Sequence, residues 1–256
     1  MTLPFYVSLV YYILICIATL LALLILPHIL IFVALIIFGL PISTKKEYDK
    51  PSKFYYWLFN LGYWTLLTCA RAKIHVTGME KLPKDGKFMF TSNHRSKFDN
   101  MVHSYKLRKY PIAFISKKEN FKIPIGKHFM VRSCYLSIDR GNVKQGLTVI
   151  QRAINFITED VTNIGIFPEG TRSTDMKVHD YKPGCFKIAV KSNCPIVVSS
   201  IYGTENIHKN FPWKRTDVYF DIIDVIYPEQ YKDMNTIEIA KKVENLVVQK
   251  IENYNN

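Results

Sequence analysis

A histidine and an aspartate lie five residues apart in residues 93–99, at positions His94 and Asp99. A neutral imidazole can take a proton from a hydroxyl group, and a neighbouring carboxylate can fix its tautomer and stabilise the imidazolium that forms. Five residues turn a helix through about 500°, so the two side chains would not share a helix face. We therefore expect a loop, leading from a strand end into a helix start, to bring them together as a general base and its orienting group.

The same segment offers two other chemistries. Ser96 lies between His94 and Asp99, but no oxyanion or elbow motif surrounds it, so a structural or capping role suits it better than that of a nucleophile. Asp99 and His103 are four residues apart on a predicted helix, and with His94 they would offer a metal ion two imidazoles and a carboxylate. Because no other ligand-rich motif supports a metal centre, we expect no metal site and no bound cofactor.

A second polar segment, residues 167–173 (Phe-Pro-Glu-Gly-Thr-Arg-Ser), begins where a predicted buried strand ends. Gly170 permits a tight turn that exposes backbone N–H groups, and such groups can bind an anion. Arg172 can hold a phosphate through two parallel donors, which a lysine cannot do. Two further cations, Lys117 and Arg140, follow other predicted strands. These residues are candidates for binding a phosphorylated substrate.

Seven short β-rich runs, each bounded by turn residues, must position these side chains. They are approximately residues 73–76, 88–91, 112–115, 135–138, 164–167, 196–202 and 218–226. Helical patterns lie between them, and this alternation predicts an α/β fold with a largely parallel central sheet flanked by helices. Because ligands of such sheets bind beyond the carboxyl ends of the strands, we expect the polar segments above to meet at one edge.

Two of the helical patterns are clear. One is a stripe of apolar residues at spacings of 3, 4, 3 and 4: Leu147, Ile150, Ile154, Ile157 and Val161. The other runs from about residue 236 to 251, where Asn235 and Glu238 are placed as a variant of the capping box.

The first 44 residues contain no Lys, Arg, Asp or Glu, so the formal charge of +13 falls entirely on residues 45–256. Residues 5–26 are apolar and would form a helix about 33 Å long, enough to cross a bilayer core. Pro27 interrupts the pattern, and residues 29–42 are apolar again. The leader fits either a single span kinked near Pro27 or a helical hairpin that enters and leaves the bilayer on one side.

The first charges after the leader are lysines mixed with acids at residues 45–53, and by the positive-inside rule they place the rest of the chain on the cytoplasmic side. Trp57, Trp64 and three tyrosines crowd the next segment, and such side chains prefer the headgroup level. We expect an interfacial helix there, although an ordinary core helix shows a similar aromatic stripe. The predicted domains are a membrane-embedded leader (1–44), an interfacial aromatic helix (45–72) and an α/β domain (73–256).

The composition narrows the class of protein. The 256 residues are 48% hydrophobic and 21% charged, which argues against a disordered chain. The five cysteines form no CxxC pair, and reduced thiols facing the cytosol are the simplest interpretation. The basic charge suits nucleic acid or an anionic membrane. The apolar leader favours the membrane, and the aromatic residues do not interleave with basic ones as a nucleic-acid platform requires, so we expect no nucleic-acid partner.

Asn93, His94, Ser96 and Asp99, followed about 75 residues later by residues 167–173, resemble the two motifs of the glycerolipid acyltransferases, specifically of the 1-acylglycerol-3-phosphate acyltransferases. The resemblance covers roughly residues 70–205 and implies that His94 is the base and Asp99 its partner. The residues it assigns to holding the phosphate-bearing acceptor are Arg140, Glu169, Gly170, Thr171 and Arg172. The sequence departs from the family's usual pattern at Ser137 and Val198, where a large apolar residue and a proline are usual.

The resemblance implies a membrane enzyme of phospholipid biosynthesis, and the positive-inside rule places its catalytic domain on the cytoplasmic face. His94 would deprotonate the sn-2 hydroxyl of 1-acylglycerol 3-phosphate (lysophosphatidate), and the oxygen would attack an acyl thioester of coenzyme A or acyl carrier protein, giving phosphatidate. A thioester is already activated, so no covalent acyl-enzyme is required.

The expected partners are membrane lipids, lysophosphatidate, and acyl-CoA or acyl carrier protein. Three other functions are open: acyl transfer to another lysophospholipid or glycerol phosphate, a metal-dependent phosphohydrolase, and a catalytically silent membrane-binding scaffold.

Overall fold

The computed structural model describes residues 5–255, so residues 1–4 of the predicted leader and residue 256 of the predicted α/β domain lie outside the described residues. The helices of the described chain are α1 (Phe5–Gly39), α2 (Lys53–Cys69), α3 (Asp99–Lys106), α4 (Gly126–Arg132), α5 (Val143–Thr158), α6 (Lys187–Ser192), α7 (Ile207–Asn210) and α8 (Thr236–Asn255). The strands are β1 (Ala72–Thr77), β2 (Met89–Ser92), β3 (Ile112–Lys117), β4 (Leu136–Ile138), β5 (Asn163–Ile166), β6 (Ile196–Tyr202) and β7 (Thr216–Ile226).

The strands form one mixed sheet in the order β1-β7-β6-β2-β5-β3-β4. Neighbouring strands are parallel except β6 and β7, which are antiparallel. The predicted α/β fold with a largely parallel sheet is therefore confirmed. One edge of the sheet, here called the carboxyl edge, is where β2, β3, β4, β5 and β6 end and where β1 and β7 begin.

Helix α1 is continuous, and Pro27 lies inside it. Its 35 residues correspond to about 52 Å, which exceeds the thickness of a bilayer core. Over residues 5–255 it is the one helix long and apolar enough to cross a membrane. The helical hairpin, one of the two arrangements that the sequence left open, is not what the structure shows. An interior proline removes one backbone hydrogen bond, and membrane helices tolerate this local loss because the freed carbonyl can be satisfied by small local adjustments.

Helix α2 joins α1 to the sheet domain. Its inner face packs into the core through Leu58, Phe59 and Tyr63, while Trp57 on the outer face is exposed. The segment therefore has the packed face of a core helix and also an exposed aromatic residue. Its predicted position at the membrane interface stays a prediction.

The two predicted helical patterns fare differently. Helix α8 begins as expected, with the Asn235 N–H donating to Glu238 Oε2 (2.7 Å) and the Glu238 N–H donating to Asn235 Oδ1 (3.0 Å). The stripe on α5 is wrong at both ends. Val161 lies beyond the helix, which stops where Asp160 adopts a φ of 54°, and Leu147 is exposed because the face that packs on the sheet is centred on Ala153.

The absence of a side chain at Gly165 in β5 leaves room for the ring of an aromatic residue on the neighbouring strand to pack over its backbone. A Cβ atom at this position would lie 2.6 Å from the ring of Phe114 and 2.8 Å from Ile112 Cγ2. Both neighbours are fully buried in β3, so neither can withdraw without disturbing the core. The close packing holds β5 against β3 just before the chain enters residues 167–173.

We predict that Gly165→Ala lowers the free energy of unfolding by about 1–3 kcal/mol, as overpacking of a dense core does. The matched control is Gly146→Ala in α5, where an added Cβ meets nothing within 4 Å. That variant should be neutral or stabilised by about 0.5–1 kcal/mol. Denaturant titration of both in detergent measures the difference, and equal stabilities would contradict the packing described for β5.

Candidate active site

The loop between β2 and α3 brings His94 and Asp99 together at the carboxyl edge. His94 Nδ1 and Asp99 Oδ2 are 2.8 Å apart, so the loop makes the contact that was expected from the sequence. Asp99 is the first residue of α3, and His94 comes two residues after the end of β2. The histidine side chain remains 19% exposed, whereas the aspartate is fully buried. A substrate can therefore reach the imidazole but not the carboxylate.

The Asp99 carboxylate is surrounded by donors. Its Oδ2 atom also accepts hydrogen bonds from the backbone N–H groups of Arg95 (2.6 Å) and Ser96 (2.8 Å), and its Oδ1 atom accepts one from the Thr204 hydroxyl. Burial alone would raise the pKa of Asp99. The hydrogen bond and charge interaction with His94, together with the bonds from Thr204 and Ser96, outweigh burial and hold this pKa below its usual range.

An ionised Asp99 fixes the tautomer of His94. A carboxylate can only accept hydrogen bonds, so His94 Nδ1 must carry the proton that lies between them. In the neutral imidazole the other nitrogen, Nε2, then keeps its lone pair. The ring is also held from one side, because it stacks on Phe167 with ring centroids 4.1 Å apart and an interplanar angle of 17°. The pair can therefore act as an oriented general base.

Glu169 ties the two polar segments to each other. Its Oε1 atom accepts from the His94 backbone N–H (2.7 Å), and its Oε2 atom accepts from the His179 backbone N–H (3.1 Å). The side chain is buried, and burial raises the pKa of Glu169 against the opposing effect of these two bonds. Since both oxygens face backbone donors, Glu169 can help to hold an acceptor only indirectly, by fixing the loops around His94.

The turn that follows β5 is closed by a hydrogen bond from the Gly170 N–H to the Phe167 carbonyl (3.0 Å). Gly170 has a φ of 73°, and a Cβ there would lie 2.9 Å from Lys182 Nζ. The backbone angle favours glycine at this position, whereas the exposed end of the Lys182 side chain can move aside for a Cβ. Lys182 is an exposed cation that the sequence analysis did not single out, since nothing in its spacing links it to the turn.

Thr171 and Arg172 are exposed beyond this turn. The Arg172 guanidinium has no hydrogen bond or ion pair with any residue of the range 5–255, so its donors are free for a ligand. The next residue, Ser173, donates its backbone N–H to the His94 carbonyl (2.8 Å). The structure therefore brings the backbone of Arg172 close to that of His94 at the carboxyl edge, as the sequence led us to expect.

Lys117 and Arg140 lie farther along the same edge. Lys117 ends β3, where its ammonium group is 3.5 Å from Glu119, and Arg140 is exposed just after β4. Three strand spacings separate β4 from β2, which corresponds to about 14 Å. Both cations thus share the carboxyl edge with His94 without touching it, and their roles as ligands remain predictions.

Three residues that hold the site together were missed by the sequence analysis. Thr204, 105 positions after Asp99, supplies the hydroxyl on Oδ1. Buried Arg95 pairs with Glu205 (3.2 Å), and its guanidinium lies over the ring of Tyr202 at 4.8 Å. Thr204 and Glu205 follow the end of β6. The expectation that site residues follow the carboxyl ends of parallel strands would have identified both residues if it had also been applied to β6.

The structure does not support the alternative of a metal centre built from His94, Asp99 and His103. Both Asp99 oxygens are already occupied by donors, and His103 is fully buried with Nε2 3.4 Å from the Ser92 hydroxyl. No three His, Cys, Asp or Glu side chains among residues 5–255 are grouped to hold a metal ion. Burial lowers the pKa of His103 to about 3, so this imidazole is neutral.

His103 makes stability depend on pH. Below its ordinary pKa of about 6.5 the unfolded chain takes up a proton that the folded protein refuses until about pH 3. Stability should therefore fall by about 1.4 kcal/mol for each pH unit between these limits. We predict that His103→Leu reduces the slope of the unfolding free energy against pH, measured between pH 6 and pH 4, by the amount that corresponds to about one bound proton. His208→Leu, at an exposed histidine, should leave this slope unchanged. Equal slopes for wild type and His103→Leu would contradict a neutral, buried His103.

The profile of the family described as Acyltransferase matches residues 73–202. The 1-acyl-sn-glycerol-3-phosphate acyltransferase of Borreliella burgdorferi is 28% identical over 192 residues, covering 71% of this chain and 76% of that protein. The protein of the same name from Haemophilus influenzae is 25% identical, covering 67% and 72%.

A relative from Chlamydomonas reinhardtii, with the same enzyme name, is 32% identical over 136 residues, which is 53% of this chain but only 40% of the algal protein. Among solved structures, the crystal structure of the 1-acyl-sn-glycerophosphate (LPA) acyltransferase PlsC from Thermotoga maritima matches with a TM-score of 0.62 and 28% identity. That match covers 79% of each chain. The region matched by the family profile, residues 73–202, includes both polar segments of the carboxyl edge.

Proposed function

Because this chain belongs to the acyltransferase family, we propose that it transfers a fatty acyl group to the sn-2 hydroxyl of 1-acylglycerol 3-phosphate, giving phosphatidate. Relatives that are named after this activity align with about two thirds or more of the chain. The observation that carries the proposal is the 2.8 Å contact between His94 and Asp99 beside the turn that holds Arg172.

The chemistry follows from the state of the imidazole. Nε2 of His94 takes the proton of the sn-2 hydroxyl while the oxygen attacks the carbonyl carbon of an acyl thioester. The new C–O bond forms, the C–S bond breaks, and the departing sulfur recovers the proton from the imidazolium. Asp99 stabilises that imidazolium without taking its proton. No covalent acyl-enzyme is needed, since the thioester is already activated.

Recognition of the acceptor rests on its phosphate group. The Arg172 guanidinium has no partner among residues 5–255, and the residue that follows it is bonded to the backbone of the base. A bidentate grip of this guanidinium on the phosphate would set the distance between the hydroxyl and Nε2. Thr171, Lys117 and Arg140 are further candidates along the same edge. Their exposure and charge support such a role, because a phosphomonoester approaching from outside meets cations before it meets the buried carboxylates.

The acyl donor and the cellular location complete the proposal. We propose a thioester of coenzyme A or acyl carrier protein as the donor, since both carriers are anionic and the body of the protein is basic. The apolar α1 anchors the chain in a membrane, and the lysines that follow it favour a catalytic domain on the cytoplasmic face. No bound cofactor is required by this chemistry.

We predict that His94→Ala lowers acyl transfer by at least about 10²-fold, because a positioned base contributes about 10²–10⁴-fold to such reactions. The measurement uses purified protein, radiolabelled acyl-CoA or acyl carrier protein, and 1-acylglycerol 3-phosphate, with the lipid product identified. His208→Ala at an exposed histidine is the control and should retain full activity. Transfer close to wild type by a folded His94→Ala protein would refute the proposed base.

We predict that Arg172→Ala raises the KM for 1-acylglycerol 3-phosphate about 10-fold or more, as loss of a charge-assisted contact to phosphate does. The KM of Arg172→Lys should lie between those of the wild type and Arg172→Ala, because an ammonium group keeps the charge without the planar pair of donors. The control is Arg108→Ala, an arginine near the opposite edge of the sheet.

The same assay distinguishes acceptors. Wild type should prefer a lysophospholipid with a bare phosphomonoester over one whose phosphate carries a headgroup, and Arg172→Ala should lose that preference. Equal use of both acceptors by the wild type would favour another lysophospholipid as the substrate. A drop in kcat alone, with KM unchanged, would instead place Arg172 on the transition state.

A further inference from the structure

The loop between α7 and β7 exposes two large aromatic side chains at the carboxyl edge. Trp213 is 84% exposed and Phe211 is 53% exposed. The loop backbone is held, because the Arg71 guanidinium donates to the carbonyl of Trp213 (2.8 Å) and more weakly to that of Pro212 (3.4 Å). Two large aromatic side chains exposed within three residues of each other on an anchored loop form an apolar patch, and such a patch marks a contact with another surface.

The loop stands on the same side of the sheet as the imidazole. Strand β7 begins at Thr216, where it pairs with Ala72 at the start of β1, and two strand spacings, about 10 Å, separate β7 from β2. Since β7 is antiparallel to β6, its first residue lies where β6 and β2 end. Trp213 and His94 therefore project from one edge of the sheet.

Helix α1 leaves the molecule on that same side. It runs antiparallel to α2: Phe38 contacts Phe54 near the start of α2, and His28 contacts Trp64 near its end (ring centroids 5.3 and 5.1 Å apart). Helix α2 ends just before β1, at the carboxyl edge. The part of α1 that precedes His28, about 34 Å long, therefore extends beyond this edge with nearly all its side chains exposed.

The charge around the loop matches an anionic surface. Residues 206–216 contain Lys209, Lys214 and Arg215 and no acidic residue, and Arg71 lies beside them. Arg215 is 3.5 Å from Asp217, whereas Lys209 and Lys214 make no ion pair with any residue of the range 5–255. Each basic residue near an anionic membrane surface adds to its attraction. At the other end of the carboxyl edge Val143 is 80% exposed, so both ends of the edge carry an uncovered apolar side chain.

We propose that residues 211–213, here called the 211–213 loop, insert Phe211 and Trp213 into the headgroup region of the bilayer that α1 enters, while the neighbouring cations contact anionic lipid headgroups. Tryptophan at the interface places an apolar ring among acyl chains and its N–H in the wet layer. This second contact would lay the carboxyl edge on the lipid surface, so that His94 faces the bilayer. The proposed lipid contact is inferred from the course of α1, the exposed aromatic rings and the basic residues around the loop. Only its effect on acyl transfer rests on the proposed function.

Trp213 itself reports the contact. In the full chain with Trp57→Phe and Trp64→Phe, Trp213 is the single tryptophan, since the sequence has three. In nanodiscs of phosphatidylcholine and phosphatidylglycerol, we expect its emission to be blue-shifted and to be quenched when the acyl chains are brominated near the headgroup. If the double variant does not fold, the difference between wild type and Trp213→Phe gives the same signal with the other tryptophans in place.

Two results would overturn the proposal. Trp213 emission typical of water, with no quenching, would mean that the loop stays in solvent. A blue shift without quenching would mean that protein covers the loop, as a partner or a second copy of this chain would. Quenching that is stronger in anionic than in zwitterionic nanodiscs, and weaker at high salt, supports the role given to the cations.

An activity measurement tests the consequence for catalysis. With acceptor embedded in nanodiscs, Phe211→Ser/Trp213→Ser should raise the apparent KM about threefold to tenfold, while activity in detergent micelles, where substrate is delivered without a bilayer, stays unchanged. Ile237→Ser, at an exposed apolar residue that follows the other end of β7, is the matched control and should have no effect in either system. An equal loss in micelles would show damage to the site and would contradict a membrane contact. Absence of activity in the wild type would refute the proposed function and leave the fluorescence result to decide the contact.

Discussion

The site depends on a buried carboxylate whose two oxygens both accept hydrogen bonds. Asp99 would be costly to bury if it were charged and unpaired, so its ionised form exists only because His94, two backbone N–H groups and the Thr204 hydroxyl surround it. These donors come from the loop after β2 and from the turn after β6. The sheet must hold both strands in register before the carboxylate can be satisfied, and only then does the imidazole have a defined tautomer.

The surrounding contacts serve the same requirement. Glu169 joins the His94 backbone to the turn after β5, Arg95 and Glu205 fix the turn after β6, and the stack on Phe167 sets the plane of the imidazole. The buried charges of the site are thus paired or hydrogen-bonded, while Arg172 has no side-chain partner in the part of the chain that the structure describes. This division between occupied and unoccupied donors separates the residues that build the site from those available to a phosphate.

Much of this could be predicted from the sequence, for identifiable reasons. The strands are short β-rich runs bounded by turns, so all seven can be located to within a few residues, and the helical patterns between most of them predict a largely parallel sheet. The antiparallel pairing of β6 with β7 does not follow from this alternation, since α7 lies between those two strands. The contact between His94 and Asp99 could be predicted because both belong to one short loop. The Thr204 hydroxyl is 105 positions away and reaches Asp99 only through the pairing of β2 with β6, which no local pattern encodes.

Other features escaped prediction because tertiary packing decides them. Leu147 fits the apolar period of α5, yet the helix is turned so that another face meets the sheet. Pro27 suggested a break in the leader, but one missing donor does not end an otherwise regular apolar helix. The exposure of Trp213 could not be foreseen either, since an aromatic residue beside a strand is usually part of the core.

The tautomer of His94 tests the central claim most directly. Nitrogen-15 NMR of protein labelled at histidine, with the His94 signals assigned by their absence in His94→Asn, distinguishes protonated from unprotonated ring nitrogens. For the neutral imidazole, the form that carries a single ring proton, we predict a protonated Nδ1, held by Asp99, and an unprotonated Nε2. A His94 protonated on Nε2 with Nδ1 free would contradict the account, because that ring could neither donate to Asp99 nor accept the proton of a substrate hydroxyl.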